Sequence, residues 1–548
     1  AASDVYKRQT PEFEEILMKR GVSEEFLRPK YSLEHAKKLP DIAVAVARIK
    51  AAVNQGETVL VYGDYDVDGV TASTIMCEAL KLAGVKRVEV MLPDRFIDGY
   101  GMSERCLERA VELKVGLVVT VDCGSNNAEV IKKLAEHKID TIVTDHHELM
   151  NGVPERALAV VNPKRYDENE ADLEKRELRE ICGAGVAFMV MQTLVLEGLI
   201  PQNQEKWFLD LVLIGTICDS MVMNQINREL AYFGLIILQK TKRVGLLELM
   251  RVAGVQKIDS EAIGFQIGPR LNAGGRMESA EISLKLLMSK ERAEAAMLAE
   301  ELNRLNGERR TAQRAALEEI LVDEKPVIVA AGNWHEGVLG IIAGRLVEKY
   351  RRPAFVLGET EGIYKGSGRS FGDFNLAEAI KAVNETLIGG GGHAAACGVK
   401  LKKEDLMRFK EAVNQYYRSL NLTEQEKYLE VAEDIRVDNL AELDVDLYEE
   451  MSVLQPFGQG NAEPIFELLN TKIKFVETLG AEKKHLKFTL EKDGNLFKAL
   501  VFNAREEWFN LDKDATYDAH INLVLNEWRG RKTVESRLLQ IKKSDSSD

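Results

Sequence analysis

The sequence predicts an α/β protein made of two α/β domains that are joined by a long helix and followed by an all-β barrel. Short apolar runs alternate with helical segments from about residue 57 to 220, and the same alternation begins again near residue 325. Between the two regions lies a stretch rich in Ala, Leu, Glu and Arg. Beyond about residue 465 the apolar residues recur at the spacing of strands. Alternating strands and helices indicate parallel sheets, and a run of short strands indicates a barrel.

Length and composition limit the class of protein. The 548 residues are too many for one core and suit two to four domains. A net charge of −15 argues against coating nucleic acid by bulk charge, but leaves room for a local basic channel. The six cysteines include no CxxC pair, which argues against a zinc ribbon or a disulfide framework. With no secretion signal, we expect the cytoplasm.

No membrane span is expected. The most apolar long stretch, residues 182–200, contains Gln192 and Glu197, and it is therefore predicted to be a buried helix.

The domain boundaries follow from these changes of pattern. The opening residues have no periodicity and are expected to be non-native or disordered, and Gly307 alone interrupts the later part of the long helical stretch. We expect an unstructured start over 1–11, a first α/β domain over 12–285, a connecting helix over 286–324, a second α/β domain over 325–425, and a linker with the barrel over 426–548.

The first domain is predicted to contain a mostly parallel sheet. Its first strand "TVLVYG" is followed by the helical "DGVTASTIMCEALKLAG". Next come the strand "RVEVMLP" with a helix near 103–114, and the strand "GLVVTVD" with a helix near 126–137. "IDTIVTDHH" then provides a further strand, so that the order is that of βαβ units.

Acidic residues follow four apolar runs of this domain, all of which we predict to be strands. The run at 58–62 precedes Asp64, Asp66 and Asp68; the others end at Asp122, at Asp145-His146-His147, and at Asp219 in "LVLIGTICD". A lone Asp after a strand is more often the N-cap of the next helix. Four such ends in one sheet meet at one edge, where unpaired buried carboxylates would be costly. Oxygen ligands with imidazole therefore predict a site for Mg²⁺ or Mn²⁺.

The second domain and the barrel follow from the rest of the chain. "KPVIVAAG" (325–332) begins the second α/β domain, in which the glycines of "GGGGHAAACG" (389–398) form either a flexible turn or a close approach to a bound group. Five strands are predicted after residue 465, and an OB-fold is the first candidate: "TKIKFVETL", "KHLKFTLEK", "LFKALVFNA", "YDAHINLVLNEW" and "ESRLLQIKK". The barrel aromatics Phe475, Phe488, Phe497 and Trp528 are expected to be mostly core.

Several motifs now resemble a known family. "DYDVDG" and "DHH" are similar to the first and third motifs of the DHH phosphoesterase superfamily, and Asp122 and Asp219 stand at the second and fourth. "GGGGHAAACG" and "KGSGRS" resemble the DHH-associated domain. Further stretches narrow the resemblance to the RecJ single-strand-specific exonucleases: "LPDRFIDGYGMS", "CGAGVAFMV", "GPRLNAGGRM", "NWHEGVLGIIAGRL" and "QPFGQGNAEPIFE". The resemblance covers about residues 12 to 543. One departure is "GTICD", where the family usually has "GTVAD", although Asp219 is retained.

The resemblance implies a phosphodiesterase with two Mn²⁺ or Mg²⁺ ions. It implies that Asp66 and Asp122 hold one ion, and that Asp68, Asp122, His146 and Asp219 hold the other. It also implies that Asp64 and Asp145 orient ligands, and that His147 stabilises charge on the phosphoryl oxygens or protonates the leaving oxygen. The residues implied for binding the substrate phosphate are Ser367, Arg369, Ser370, Gly391, Gly392, His393, Arg276 and Arg95.

The implied function is a 5′→3′ exonuclease on single-stranded DNA that releases 5′-mononucleotides during recombination and repair. The expected partners are the 5′ end of single-stranded DNA, a single-strand-binding protein and a helicase, and a monomer is expected. One alternative is a DHH phosphodiesterase acting on short oligoribonucleotides or cyclic dinucleotides, which generally lacks the terminal barrel. A second alternative is an inactive replication scaffold, which would be expected to have lost metal ligands.

Overall fold

The computed structural model describes residues 10–422, 433–480, 483–528 and 530–544. The chain divides into two units. The larger unit contains Tyr31–Met221 and Phe233–Leu429, and the smaller unit contains Ala1–Lys30, Val222–Tyr232 and Glu430–Asp548.

The helices are numbered in chain order. They are α1 Pro11–Arg20, α2 Glu24–Leu27, α3 Ile42–Gln55, α4 Val67–Leu82, α5 Glu104–Glu112, α6 Ala128–Glu136, α7 Leu173–Leu178, α8 Gly183–Leu196, α9 Leu209–Cys218, α10 Gln225–Leu238, α11 Val244–Ala253, α12 Ser260–Ala262, α13 Gly268–Met277, α14 Glu281–Met288, α15 Arg292–Glu319, α16 Leu339–Tyr350, α17 Leu376–Ala382, α18 Leu406–Ser419 and α19 Val445–Met451.

The strands are numbered in the same way. They are β1 Thr58–Tyr62, β2 Arg87–Met91, β3 Leu117–Val121, β4 Asp140–Thr144, β5 Ala159–Val161, β6 Ile328–Gly332, β7 Ala354–Thr360, β8 Ile363–Arg369, β9 Gly389–Gly392, β10 Ala396–Lys402, β11 Ile435–Val437, β12 Phe466–Leu479, β13 His485–Lys492, β14 Asn495–Val501, β15 Thr516–Trp528 and β16 Arg531–Lys543.

The first sheet of the larger unit is parallel, as the sequence predicts. Its strand order is β2-β1-β3-β4-β5. The apolar residues of β1 and β3 are buried, which explains why these strands read as continuous hydrophobic runs. Helix α8, within the stretch predicted to be a buried helix, is buried along almost its whole length and packs against α4.

One predicted strand is wrong. "LVLIGTICD" forms helix α9, and Asp219 is the residue that follows its last turn. The run is apolar at nearly every position because most of the helix is buried, so it has no periodicity that separates a helix from a buried strand. Three strand ends and one helix end therefore present the acidic residues.

The connecting helix is interrupted near its start. Helices α14 and α15 are separated at Ser289–Glu291, where the Ser289 hydroxyl donates to the Glu291 carbonyl and the Glu294 carboxylate. The 28-residue helix α15 continues through Gly307 and ends at Glu319, five residues before the predicted boundary. Serine commonly bonds to nearby backbone in this way at helix ends.

The second sheet of the larger unit has the order β6-β7-β8-β10-β9. Strands β6 and β7 are parallel, and the remaining neighbours are antiparallel. The four glycines 389–392 form strand β9, so the flexible-turn alternative is wrong.

The smaller unit contains the predicted five-stranded barrel. Strands β12, β13, β14, β16 and β15 follow one another, and the pairing of β12 with β15 closes the barrel. Strand β11 adds to β12 in parallel. Phe488 and Phe497 are core residues as expected, whereas the Phe475 side chain is exposed. The Trp528 side chain lies outside what the structure describes.

The start of the chain corrects the predicted domain boundaries. Phe13 and Ile16 of helix α1 are buried in the core of the barrel unit, so residues 10–30 belong with the barrel and not with the first α/β domain. Residues 222–232 belong there as well. Of the predicted unstructured start, residues 1–9 lie outside the described residues, but the Thr10 hydroxyl caps α1 and Pro11 begins it. Among the described helices, none is long and apolar enough to cross a membrane.

Candidate metal centre

Two aspartates are held at the starts of helices. The Asp66 side chain caps α4 and accepts a hydrogen bond from the Gly69 N–H at 3.0 Å. Asp68, in the first turn of α4, accepts hydrogen bonds from the Gly183 and Ala184 N–H groups at the start of α8, at 2.6 and 2.9 Å. The N-terminal ends of helices favour negative charge, so both carboxylates lie where a helix stabilises them.

The ends of β3 and β4 place the next acidic residues beside the first two. Asp122 follows β3 in a left-handed conformation (φ 59°), which aspartate adopts more readily than most residues, and its N–H donates to the Thr144 carbonyl at 2.9 Å. Asp145 follows β4 and accepts hydrogen bonds from the Ser125 N–H at 2.9 Å and from His147 Nδ1 at 2.8 Å. Asp145 therefore fixes the backbone at Ser125 and the orientation of the His147 ring.

The side chains converge into two overlapping sets. His146 Nε2 lies 3.1 Å from Asp122 Oδ1, 3.6 Å from Asp219 Oδ2 and 3.7 Å from Asp68 Oδ2. A second set with ligand atoms close together is Asp64, Asp66 and Asp122. Asp122 belongs to both sets, which is the arrangement that a ligand bridging two ions requires.

The carboxyl groups are strongly perturbed. Burial and the neighbouring Asp66 raise the pKa of Asp64 to about 8 and that of Asp68 to about 6. Burial and the charge of Asp68 raise the pKa of Asp219 to about 8, and the pKa of Asp122 is raised well above its usual range for the same reasons. Like charges gathered in a buried place disfavour ionisation unless a cation is present.

The pKa values of the two histidines are shifted in opposite directions. Burial, together with the charge of His147, lowers the pKa of His146 to about 3, so that its imidazole is neutral and can bind a metal. Burial alone would lower the pKa of His147, but its hydrogen bond to Asp145 raises it to about 9. Although burial by itself raises the pKa of Asp145, the bond to His147 brings that pKa to about 2. His147 and Asp145 thus form an ion pair.

The cluster also has the properties of a cation site. Asp64 Oδ1 and Asp122 Oδ1 are buried and accept no hydrogen bond within the described part of the chain. Buried oxygen atoms are almost always satisfied, so these two require a further partner. A Cβ at Gly183 would lie 2.6 Å from Asp122 Oδ1, and one at Gly215 would lie 2.5 Å from Asp68 Oδ1, so glycine keeps space beside the oxygens. Carboxylate oxygens with one imidazole suit Mn²⁺ or Mg²⁺.

Two of the predicted phosphate-binding residues lie side by side on β8. Ser367 and Arg369 are two residues apart, and a Cβ at Gly340 would lie 3.0 Å from Arg369 Nη2 and 3.4 Å from Ser367 Oγ. Gly340 is in the first turn of α16, so the guanidinium and the hydroxyl face the start of a helix. This combination is suited to an anion.

Three arginines form a cluster near the acidic residues. Burial and the charges of Arg95 and Arg369 are among the causes that lower the pKa of Arg276 to about 10. The Arg95 guanidinium lies 4.8 Å from the centre of the Tyr65 ring, and Tyr65 separates Asp64 from Asp66 in the chain. Among the described ion pairs, none joins these three arginines to a carboxylate. Unpaired guanidinium groups that repel one another indicate a site for an anion.

The other predicted phosphate-binding residues have local roles. The Ser370 hydroxyl donates to the Phe374 carbonyl, which occupies its hydrogen. Gly392 has φ 150°, and a Cβ there would lie 2.4 Å from the Ala396 carbonyl oxygen, so glycine is needed for strand pairing. His393 is exposed and its N–H donates to the same carbonyl. Gly391 is open to solvent and leaves its backbone accessible.

Sequence reasoning missed one aromatic neighbour of the site. The Tyr100 ring lies 5.4 Å from the His147 ring in an edge-on contact. Phe96, four residues earlier, makes a similar contact at 5.5 Å with His335, whose Nδ1 accepts the Gly337 N–H. Both aromatics belong to "LPDRFIDGYGMS", which also contains Arg95. The sequence signal that could have identified them is the combination of Arg95, Phe96 and Tyr100 in one short stretch.

Comparisons with known proteins agree with this arrangement. Residues 58–216 match the DHH family, N-terminal domain; residues 324–419 match the DHHA1 domain; and residues 435–540 match the RecJ OB domain. Two crystal structures of RecJ from Thermus thermophilus, with Mn²⁺ and with Mg²⁺, have TM-scores of 0.83 and 0.77 at 30% and 28% identity. Each covers 98% of this chain, and the chain covers 76% and 75% of theirs.

Curated relatives extend over most of the chain. The single-stranded-DNA-specific exonuclease RecJ of Bacillus subtilis is 35% identical over 89% of this chain, although the chain spans only 62% of that relative. The enzyme of the same name from Haemophilus influenzae is 31% identical over 92% of this chain and 91% of its own length. The three domain models and the relatives of 30% identity or more together show that this chain belongs to the RecJ family of single-stranded-DNA-specific exonucleases.

Proposed function

We propose that this chain is a metal-dependent 5′→3′ exonuclease that hydrolyses single-stranded DNA to 5′-mononucleotides in recombination and repair. The observation that best supports the proposal is the position of three arginines, none with a described carboxylate partner, beside a cluster of five buried or partly buried carboxylates and a neutral histidine. A terminal 5′-phosphate bound by these guanidinium groups would place the first phosphodiester bond close to the carboxylates. The enzyme would then recognise an end by charge and not by sequence.

The metal ligands follow from the two overlapping sets. Asp66 and Asp122 would hold one ion, and Asp68, Asp122, His146 and Asp219 would hold the other. Asp64 has an oxygen close to the first set and is suited to bind as well as to orient. When bound, two divalent ions neutralise the carboxylates and lower the pKa of a water for attack on phosphorus.

His147 has the chemistry of a proton donor. Its Nδ1 is held by Asp145 at 2.8 Å, and the resulting pKa of about 9 keeps the ring protonated near neutral pH. Its Nε2 proton is then available to a phosphoryl oxygen or to the O3′ atom that leaves with the released nucleotide. The edge-on contact with Tyr100 supports the orientation of the ring.

The alternatives have less support. A phosphodiesterase for short oligoribonucleotides or cyclic dinucleotides has no evident need of a closed barrel, whereas a single strand can be held by one. An inactive scaffold would not need the buried carboxylates and both histidines that are present here. As partners we propose a single-strand-binding protein and a helicase, because an enzyme restricted to single strands must be supplied with them. We further propose a monomer that acts in the cytoplasm.

A substrate panel tests the proposal. The protein with Mn²⁺ is incubated with 5′-labelled and 3′-labelled single-stranded DNA, blunt duplex DNA, RNA and cyclic di-AMP, and Asp122→Ala provides the inactive control. We expect mononucleotides to be released from the 5′ end of single-stranded DNA, with little product from the duplex. Equal rates on duplex DNA, or digestion from the 3′ end, would contradict the proposal. Faster hydrolysis of cyclic di-AMP than of DNA would favour the first alternative.

A further inference from the structure

A groove lies in the larger unit at the end of α4 opposite to the metal ligands. It consists of two cavities of about 350 and 510 Å³ that share Glu78, Trp207, Phe208 and Lys290 as lining residues. Glu78 is ten residues further along α4 than Asp68, which is about 15 Å at 1.5 Å per residue. The groove is therefore separate from the metal centre.

The floor of the groove contains buried charges that the proposed mechanism does not use. Asp210 is 1% exposed and accepts a hydrogen bond from the Thr241 hydroxyl at 2.7 Å. Arg243 lies between the two carboxylates, with its Nη1 3.2 Å from Glu78 Oε1 and its Nε 3.9 Å from Asp210 Oδ2. Burial raises the pKa of Asp210. Buried charges are costly, and in a cavity such a group is a candidate for function.

The wall and the rim supply an aromatic face and several cations. Trp207 is 44% exposed, and Lys242 Nζ lies 5.1 Å from the centre of its ring. No described carboxylate pairs with Lys81 or Lys242, and the Lys290 side chain, whose Nζ lies 3.9 Å from Glu78 Oε1, is 82% exposed. In a chain with a net charge of −15, this grouping of cations is a local exception.

We propose that this groove binds a free nucleoside 5′-monophosphate. The base would stack against Trp207, the phosphate would lie between the rim ammonium groups of Lys242 and Lys290, and the Glu78 carboxylate would accept a hydrogen bond from a base amino or sugar hydroxyl group. Cavities of this size accommodate small ligands of that kind, with apolar walls and a few converging polar groups.

The floor distinguishes a nucleotide from an acidic peptide. The Glu78 carboxylate can accept a hydrogen bond from the amino or hydroxyl donors of a nucleoside, which the carboxylate side chains of an acidic peptide lack. One exposed aromatic and a short rim of cations suffice for a single nucleotide, while a long strand would need a continued basic track.

Binding of dAMP to the full chain tests the inference. In EDTA, which removes divalent ions, dAMP is titrated by equilibrium dialysis and by quenching of tryptophan fluorescence. Trp207→Ala should weaken binding by about tenfold or more, because stacking of a base on an aromatic ring is typically worth a factor of this order. Lys242→Gln should weaken it by about threefold to tenfold and should reduce its salt dependence.

Matched controls separate this site from the others. Lys285→Gln removes a cation that is paired with Glu281 on the same helix, α14, just before Lys290, and Trp508→Phe removes an indole of the barrel. Neither should change dAMP binding. Arg369→Ala alters only the proposed 5′-phosphate site, so the dAMP binding that remains in this variant and is lost on adding Trp207→Ala belongs to the groove, and the inference is tested independently of the proposed function. Thermal melts check that each variant is folded. If Trp207→Ala does not fold, the loss of dAMP binding in Lys242→Gln tests the inference instead.

Several results would overturn the inference. Absence of dAMP binding at millimolar concentration would remove the site, and binding lost with Arg369→Ala but kept with Trp207→Ala would assign all of it to the proposed 5′-phosphate site. Equal affinity for deoxyribose 5-phosphate would exclude a base contact. Tighter binding of an acidic peptide containing phenylalanine would identify a docking site for protein. Tighter, Trp207-dependent binding of oligothymidylate would identify a site for the DNA strand.

Discussion

Arg369→Ala is expected to weaken the preference of the enzyme for 5′-phosphorylated ends. Arg369 belongs to the cluster with Arg95 and Arg276, has no described carboxylate partner, and faces the start of α16 together with Ser367. Removing it should leave the metal ligands untouched, because they belong to other elements, at the ends of β1, β3, β4 and α9.

The size of the effect can be estimated from the cluster. A charge-assisted hydrogen bond to phosphate typically contributes about 1.5–3 kcal/mol, which corresponds to roughly one to two decades in affinity. Removing Arg369 also relieves its repulsion of Arg276 and Arg95, so the remaining pair should bind phosphate somewhat better than before. We therefore expect the lower end of that range, about tenfold, for the single variant. The double variant with Arg276→Ala should lose more than either single variant.

The assay compares initial rates on 5′-phosphate and 5′-hydroxyl single strands of the same sequence. The ratio of the two rates should fall about tenfold for Arg369→Ala, while Mn²⁺ affinity stays the same. Arg304→Ala is the matched control, since Arg304 on α15 is already paired with Glu301 and Glu308. An unchanged ratio for Arg369→Ala, or an equal fall for Arg304→Ala, would refute the assignment of the end-binding site.

Three further predictions concern the metal centre. Asp122→Ala should reduce turnover by more than about a hundredfold while single-stranded DNA binding changes little, because both ions lose a ligand; isothermal titration with Mn²⁺ and single-turnover rates check this. Gly215→Ala places a Cβ 2.5 Å from the position of Asp68 Oδ1 and should destabilise the protein by about 1–3 kcal/mol and weaken metal binding, measured by thermal melts and by the same titration. The metal-free protein should lose stability as pH rises from about 5 to 8. Over that interval the carboxyls of Asp64 and Asp219, with pKa values of about 8, keep protons that the unfolded chain has already released, so unfolding becomes more favourable as pH increases. The difference between the melting temperatures in Mn²⁺ and in EDTA should increase as pH rises. A difference that stays constant with pH would contradict the pKa assignments.

The sequence by itself determined the architecture of the sheets and the identity of the acidic residues. The βαβ order of the first sheet follows from apolar runs of strand length that alternate with helices, and the five barrel strands follow from their alternating pattern. The acidic residues could be named because charge at the end of a buried strand has few explanations other than a helix cap or a cation. Their proximity was predicted by the rule that carboxyl ends of parallel strands meet at one edge.

Only the tertiary structure decided which contacts these residues make. "LVLIGTICD" is a helix because burial of most of its residues, and not periodicity, determines its conformation, and a local pattern contains no information about burial of that kind. Helix α1 belongs with the barrel because Phe13 and Ile16 fill a core formed by residues more than 400 positions away. The mutual approach of Arg95, Arg276 and Arg369 depends on how two α/β domains pack, which no short stretch of sequence specifies. Sequence thus identified the reactive groups, and packing over long sequence separations determined their surroundings.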